Sequence, residues 1–226
     1  MLDRILEPEV MDDPSEAAAY HAINHDRVNA VFVDDMARVV PPSDMRGPIL
    51  DLGAGNGLIP LLIRKQIPNA VLVALDAARS MLAIAQKVAG GGHAGKLGWV
   101  QARAQRLPYR DGVFPLVVSN SLIHHLPEPG LAIREAWRVL APGGWVFIRD
   151  LFRPASTSEL THLVGTHAAD ESERARRLFA ESLHAALTLE EVRRLVVPLG
   201  VPGDTVWANS DRHWTWCCRK PPAEKS

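Results

Sequence analysis

Apolar residues recur along this chain in two alternating rhythms, short unbroken runs and longer stretches at helical spacing. Ile49-Leu50-Asp51-Leu52 and Val71-Leu72-Val73-Ala74-Leu75 are runs suited to strands buried on both faces. Further strands are expected at 97–101, 116–120 and 145–149, with helices at 58–66, 79–88 and 130–140 between them. Ahead of the first strand, Val28, Val31, Phe32, Met36 and Val39 line one helical face that Pro41-Pro42 ends. Asp13-Pro14 is a helix start, with an N-cap followed by proline at the first helical position. Strand and helix alternating in this way predict an α/β domain with a doubly wound, mostly parallel sheet.

After residue 154 the chain is longer than one crossover helix requires. Leu160, Leu163, Val164 and His167 form one helical stripe, and Leu178, Leu183, Ala186 and Leu187 a second, which predicts a helical cap inserted over 155–187. Thr188-Leu189-Glu190-Glu191 is a capping box, and it opens a helix with Val192, Leu195, Val196 and Leu199 on its apolar side. Strands at 205–207 and 214–218, joined by Asn209-Ser210-Asp211, complete seven. With the last strand antiparallel, the turn carrying Asp211, Arg212 and His213 shares the sheet edge of Asn120, Ser121, His124 and Asp150. Gly90-Gly91-Gly92-His93 follows a helix rather than a strand and reads as a flexible connection.

Length and composition fit one domain over 1–226: 226 residues, 47% hydrophobic, suffice for a single sizeable core. The balance of 25 basic and 26 acidic residues offers no general attraction to nucleic acid, and mixed-sign runs such as Glu173-Arg174-Ala175-Arg176-Arg177 read as solvated helix faces. Without a long apolar run or a basic leader the expected location is cytoplasmic, with no membrane partner. The adjacent Cys217 and Cys218 read as buried thiols. Nine histidines lack zinc-type spacing with cysteine or glutamate, so no metal is expected.

The candidate chemistry starts at Asp51-Leu52-Gly53-Ala54-Gly55-Asn56-Gly57, where a strand runs into alternate glycines whose N–H groups a ligand can approach. A hydride-transfer loop wants G-x-G-x-x-G, and Leu58 stands where its third glycine would be. The register D-L-G-x-G-x-G resembles motif I of the class I S-adenosylmethionine-dependent methyltransferases. Asp76 follows about 20 residues beyond the loop. Then come Arg106-Leu107-Pro108-Tyr109-Arg110-Asp111 leading into Phe114, Leu122-Ile123-His124-His125-Leu126, and Arg138-Val139-Leu140-Ala141-Pro142-Gly143-Gly144. In that order these blocks resemble the small-molecule, quinone-biosynthesis-like branch of that superfamily, over residues 47–154.

The resemblance implies a Rossmann-like seven-stranded sheet, with the cofactor S-adenosyl-L-methionine bound by a 47–154 core under an N-terminal helical lid, 1–42. It implies that Asp51 and the backbone of Gly53, Gly55 and Gly57 serve the methionine end, Asp76 the ribose, and the backbone at Asn120 the amino group. It also puts Ala77 and Met81 beside the adenine, although helix packing explains Met81 equally well. Two positions depart from the family: Arg103 lies in the segment where an acid meets the adenine amino group, leaving Gln101, Gln105 or backbone to accept it, and Pro115 replaces the aspartate that opens the fourth strand.

Methyl transfer by in-line displacement to a small polar molecule is the expected activity. His124, Tyr20 and His213 are the catalytic candidates, and Asn24, Asp150, Arg153 and Arg212 the candidates for holding the acceptor. Tyr20, His21, Asn24 and His25 are expected on one N-terminal helical surface. Two alternatives stay open, a non-catalytic sensor of the cofactor or its demethylated product, and an RNA or protein methyltransferase. Oligomeric state is open too, since the N-terminal and cap helices can close over the site or pair with another subunit.

Overall fold

The computed structural model describes residues 2–7, 12–23, 25–90 and 96–223. Its centre is one seven-stranded sheet in the order β3-β2-β1-β4-β5-β7-β6. The strands are β1 (Pro48–Leu52), β2 (Val71–Asp76), β3 (Leu97–Gln101), β4 (Phe114–Asn120), β5 (Leu140–Leu151), β6 (Val206–Ala208) and β7 (His213–Arg219). β7 runs antiparallel to both β5 and β6, and the pairs from β3 to β5 are parallel. The expected fold class holds, including the reversed last strand. Order reverses between β1 and β4, so the crevice of a doubly wound sheet opens there.

Strand alternation sorts the core into two layers. Ile49, Leu72, Leu116, Val118 and Phe147 pack with Phe32, Val33 and Met36 of α2 (Asp26–Val39) and Ile63 of α3 (Leu58–Gln66). Leu50, Leu52, Leu75, Val117, Val146 and Ile148 face the other way, onto Ile133 and Ala136 of α5 (Pro129–Val139) and Val192 and Val196 of α8 (Leu189–Val196). The Thr188 capping box opens α8 with both reciprocal hydrogen bonds formed. Residues with matching parity on neighbouring strands therefore share a layer, which fixes the register.

Two boundaries differ from the sequence reading, both at the ends of β4 and β5. β4 begins at Phe114, with Pro115 inside it, and β5 begins at Leu140. The ladder is irregular there, Phe114 pairing with Leu140 but Leu116 with Trp145, so the missing N–H of proline falls where the pairing is interrupted.

α1 (Pro14–His21) is capped by the Asp13 carboxylate, which accepts the N–H groups of Ser15 and Glu16, and its Ala17 packs on Ala78 and Met81 at the start of α4 (Arg79–Ala89). α1 stops at His21, so Tyr20 and His21 end one helix while His25 precedes the next; they do not share a single helical face. The expected insertion forms α6 (Thr157–His167) and α7 (Glu173–Ala185), whose Leu160, Leu163 and Leu183 make a small core with Leu151. A strap of residues 2–7 lies on this pair: Ile5 N–H donates to the His184 carbonyl at 3.2 Å, and Arg4 Nε to the Ala185 carbonyl at 2.6 Å. Among the described residues no helix is long and apolar enough to cross a membrane.

α2 is tied to the sheet by Arg149 of β5, whose buried guanidinium donates to Asp35 at 2.8 Å and lies over the Phe32 and Phe147 rings. Asp35 also meets Arg38, but that partner is largely exposed and contributes little. Asp35→Ala should lower the unfolding free energy by about 1–3 kcal/mol, the range for a hydrogen bond to a charged group that leaves a buried charge alone. Urea unfolding is the measurement, read as a lower midpoint at unchanged slope.

Candidate functional site

A cavity of about 330 Å³ opens at the carboxyl ends of β1, β2 and β4. Its floor is the β1–α3 loop with Gly53, Gly55 and Asn56, and its walls include Asp76, Ala77, Gln105, Asn120, His124, Tyr20, Arg212 and His213. The α7 side is apolar, with Leu178 and Phe179, and Glu7 of the strap also reaches the wall.

The loop glycines divide by role. Gly55 has φ +52° and only the Met81 methyl near where a Cβ would stand, at 3.4 Å, so its open side is the cavity. At Gly57, φ +78°, a Cβ would meet the Trp99 ring at 2.7 Å and Ala85 at 2.9 Å. The third glycine is thus required by helix packing and is not in the cavity wall. Gly53 is in the wall beside Leu122.

Asp76 stitches the floor together. Its Oδ2 accepts the Gly55 N–H and its Oδ1 the Ala78 N–H, each at 2.8 Å, so one carboxylate at the end of β2 fixes both the loop and the entry to α4. Burial raises its pKa above the ordinary carboxylate value, and the two N–H groups oppose that rise. From the other side, the His21 ring lies 3.2 Å from the Asn56 amide, holding the end of α1 against the loop.

Two acceptors near the crevice have no hydrogen-bond partner. Both carboxylate oxygens of Asp51 are buried and unmatched, and so is the side-chain oxygen of Asn120. Asp51 is 1% exposed and lies behind the cavity wall rather than in it. Desolvation, with the nearby Asp76 charge second, pushes its pKa well above the ordinary carboxylate range. Unmatched buried acceptors destabilise the free protein, and a ligand bearing a cationic donor relieves them. The residues present therefore suit a group that carries an ammonium at one end and hydroxyls near Asp76.

On the opposite wall His124 is 3% exposed and its two ring nitrogens face carboxylates. Nδ1 bonds to Asp150, and Nε2 lies 3.3 Å from Glu7, which also stands 3.0 Å from His125 Nδ1. Burial alone would lower the His124 pKa; the two carboxylates outweigh it and hold the ring above its ordinary value. With both nitrogens engaged and the proton favoured, His124 in this state is not a free general base. Asp150 is buried and accepts N–H groups from Ile123, His124 and Leu151, so it positions His124 and is absent from the cavity wall.

The remaining candidates separate clearly. Arg153 is buried away from the cavity, its Nη1 donating to the Ala186 carbonyl and its Nη2 to Glu191, each at 2.8 Å. Arg212 lines the cavity and is tied to His167 and Asp211. Burial raises the Tyr20 hydroxyl to about 12, so it keeps its proton, and its ring stacks on His25 at 5.0 Å. Gln105 is in the wall, whereas Gln101 donates to the Ala77 carbonyl at 3.2 Å. Asn24 lies outside the described residues. The sequence reading missed Glu7, Ser182 and Phe179, which reach the cavity from the strap and from α7.

His213 lines the cavity with Nδ1 at 3.0 Å from the Ser210 hydroxyl. Burial, then the positive charges of Arg212 and Arg149, lower its pKa to about 3. The unfolded chain takes a proton there near 6.5 and the folded chain only near 3, so this residue costs no stability above 6.5 and about 1.4 kcal/mol per pH unit below it. His213→Gln should flatten the fall in stability between pH 6.5 and 4 relative to the wild type, measured by urea unfolding at several pH values.

The methyltransferase-domain family model matches residues 50–148. The ubiquinone/menaquinone biosynthesis C-methyltransferase of Desulfotalea psychrophila is 34% identical over 110 residues, 48% of this chain and 43% of that protein. The malonyl-[acyl-carrier protein] O-methyltransferase of Geobacter sulfurreducens is 34% identical over 154 residues, 67% of this chain and 54% of that protein. The chain therefore spans about half the length of the curated relatives it matches. Among solved structures, a Methanococcus maripaludis protein assigned as an S-adenosyl-L-methionine-dependent methyltransferase superposes with TM-score 0.70 at 19% identity, covering 98% of this chain and 100% of that one. An Aquifex aeolicus methyltransferase of the same dependence gives 0.65 at 14% identity, covering 92% and 98%. At such identities these two structures speak for the fold alone.

Proposed function

We propose that this chain, whose residues 50–148 belong to the methyltransferase-domain family, transfers a methyl group from S-adenosyl-L-methionine to a small molecule held in the same cavity. The observation that carries the reading is the pair of unmatched buried acceptors, Asp51 and Asn120, at the crevice between β1 and β4, beside a floor of bare glycine backbone. Bound there, the cofactor supplies an electrophilic methyl on a sulfonium. The protein's part is to hold it and to aim the acceptor.

Asn120 meets the amino end from the wall and Asp51 stands just behind it, where a nearby cation favours the ionised form of Asp51 that burial opposes. The Gly53 and Gly55 backbone lies along the methionine portion. Asp76 accepts from the ribose with the lone pairs left after the Gly55 and Ala78 bonds. Ala77, Met81 and Gln105 border the adenine, with Gln105 rather than Gln101 in the wall. Arg103 does not line the cavity, and Ala102, Ala104 and Gln105 are the residues of that segment that do.

The acceptor side combines the Tyr20 hydroxyl, a neutral His213 and the Arg212 guanidinium with apolar Leu126, Leu178 and Phe179. That mixture supports a small acceptor with a polar group on an apolar body. Tyr20 acts as a donor and His213 as a weak acceptor, and neither is an effective base near neutral pH. Direct displacement on an already nucleophilic atom, aimed in line with the departing sulfur, needs only positioning. The relatives named as C- and O-methyltransferases of small or carrier-bound molecules support the same class.

Calorimetric titration with S-adenosylhomocysteine should give one site per chain; no binding would end the reading. Asp51→Asn should weaken that binding roughly 10- to 100-fold, equivalent to about 1.5–3 kcal/mol for a charged hydrogen bond. The same variant should unfold at higher urea than wild type at pH 7. The native carboxyl stays protonated above the pH at which the unfolded one ionises, so this gain should vanish as pH falls toward 3.8. Incubation with methyl-labelled cofactor and a fractionated extract then identifies the acceptor by the fraction that gains label.

A further inference from the structure

We propose that Glu7, His124 and His125 form a site for one divalent transition-metal ion, Zn²⁺ or a similar late first-row ion, in the cavity wall. Among the described residues this is a set of three that offers its ligand atoms together, all within 4.8 Å of one another. Two imidazoles and one carboxylate are a donor set for such ions, and three protein ligands leave coordination positions for an outside ligand.

Glu7 and His125 form a direct hydrogen-bonded pair in the ion-free chain, and the spacing lets an ion take the place of that contact with little movement. Charge-assisted N–H to carboxylate bonds are about 2.7–2.9 Å long. Glu7 Oε1 stands 3.0 Å from His125 Nδ1 and 3.3 Å from His124 Nε2. Ligand atoms each about 2.1 Å from a tetrahedral ion lie about 3.4 Å apart. The His124 separation is already close to that value and the His125 one a few tenths of an ångström short of it, so one ion would fit between the carboxylate oxygen and the two ring nitrogens after a small opening.

The surroundings are those of a built site. His124 gives its Nδ1 to Asp150, which leaves Nε2 as the ligating nitrogen and repeats the carboxylate–histidine–metal arrangement that orients metal ligands. Asp150 is itself held by three backbone N–H groups, so the ring is fixed at two removes. The Ser182 hydroxyl donates to Glu7 at 3.2 Å from α7. Two carboxylates, Glu7 and Asp150, face one guanidinium, Arg4, which donates to the His124 and Leu126 carbonyls at 3.0 Å. Once the His124 ring gives up its proton to ligate, these groups carry a net negative charge for the ion to meet.

All three ligands line the cavity that also contains Asn120 and Ser121. An ion held by these three residues would share the cavity with the acceptor and would offer a Lewis acid to an oxygen of a hydroxyl- or carbonyl-bearing acceptor. That use rests on the methyl-transfer reading; the ion site does not. The spacing of histidines along the sequence gave no warning of it, because Glu7 arrives from the strap and the two histidines are adjacent.

The test uses the full chain, stripped with a chelator and dialysed. Titration with Zn²⁺ should show one ion per chain, and Co²⁺ should develop the visible absorption of a four- or five-coordinate, nitrogen-containing site. Glu7→Gln and His125→Ala should each weaken Zn²⁺ binding at least tenfold while binding S-adenosylhomocysteine within about twofold of wild type. Asp150→Asn should weaken Zn²⁺ by about 10- to 100-fold, as outer-shell changes do. Should Asp150→Asn fail to fold, the Glu7 and His125 variants decide alone. No uptake, or uptake unchanged in both of those variants, overturns the site. Zn²⁺ uptake in a chain that does not bind S-adenosylhomocysteine upholds the site and removes the methyl-transfer reading.

Discussion

The carboxylate of Asp76, shared between the Gly55 and Ala78 N–H groups, is the constraint from which the cavity floor follows. It sits at the end of β2, one strand away from the loop it holds, so the loop conformation is set by the sheet register and not by the loop alone. An aspartate is suited to this because two oxygens accept two N–H groups and still have lone pairs to offer. Its negative charge also bears on Asp51, whose own ionisation is already opposed by burial. The floor thus holds two acids in tension, one satisfied by backbone and one left without a partner. Such tension is what a cationic ligand relieves, and the free protein carries its cost.

Across the cavity the same economy of charge appears in another form. Asp150, His124, Glu7 and His125 run in contact from a buried strand to the strap. Each member is located by the one before it, starting from β5, which is among the most buried strands. The histidine pair is therefore rigid where it meets Asp150 and depends on the strap where it meets Glu7. Placement of the strap relies in turn on α7 carbonyls, since Ile5 and Arg4 bond to His184 and Ala185. The cap helices and the first few residues form one structural unit even though they are separated by most of the chain.

Much of this was legible in the sequence because the relevant signals are local. The buried runs at Ile49 and Val71, the glycine loop, the Thr188 capping box and the hairpin before His213 each specify their structure within a few residues. Parity along β1 and β4 even fixes which layer each side chain enters. What was not legible depends on distance. Pro115 and the Pro142-Gly143-Gly144 stretch disguised the true starts of β4 and β5, since breakers in one strand are tolerated only because of the strand beside it. Arg153 looked like an anion-binding arginine and is instead a buried support for α8 through Glu191. Gly57 looked like part of the ligand cradle and is the gap into which Trp99 fits. Glu7 had no local signal at all, because a lone acid near a chain end acquires meaning only from what it docks against.

β6 is only three residues long and is joined to the sheet solely through β7. So short an edge has few open N–H and C=O groups to offer a stray strand, which protects the molecule from lateral association. It also leaves the turn that bears Arg212 and His213 anchored on one side by a full seven-residue strand and on the other by a stub. The stub's shortness at that rim is made up by the turn's own hydrogen bonds: the Ser210 hydroxyl accepts the Arg212 and His213 N–H groups, and the Phe152 N–H donates to the Arg212 carbonyl, so the wall at the cavity mouth is tied back to the end of β5.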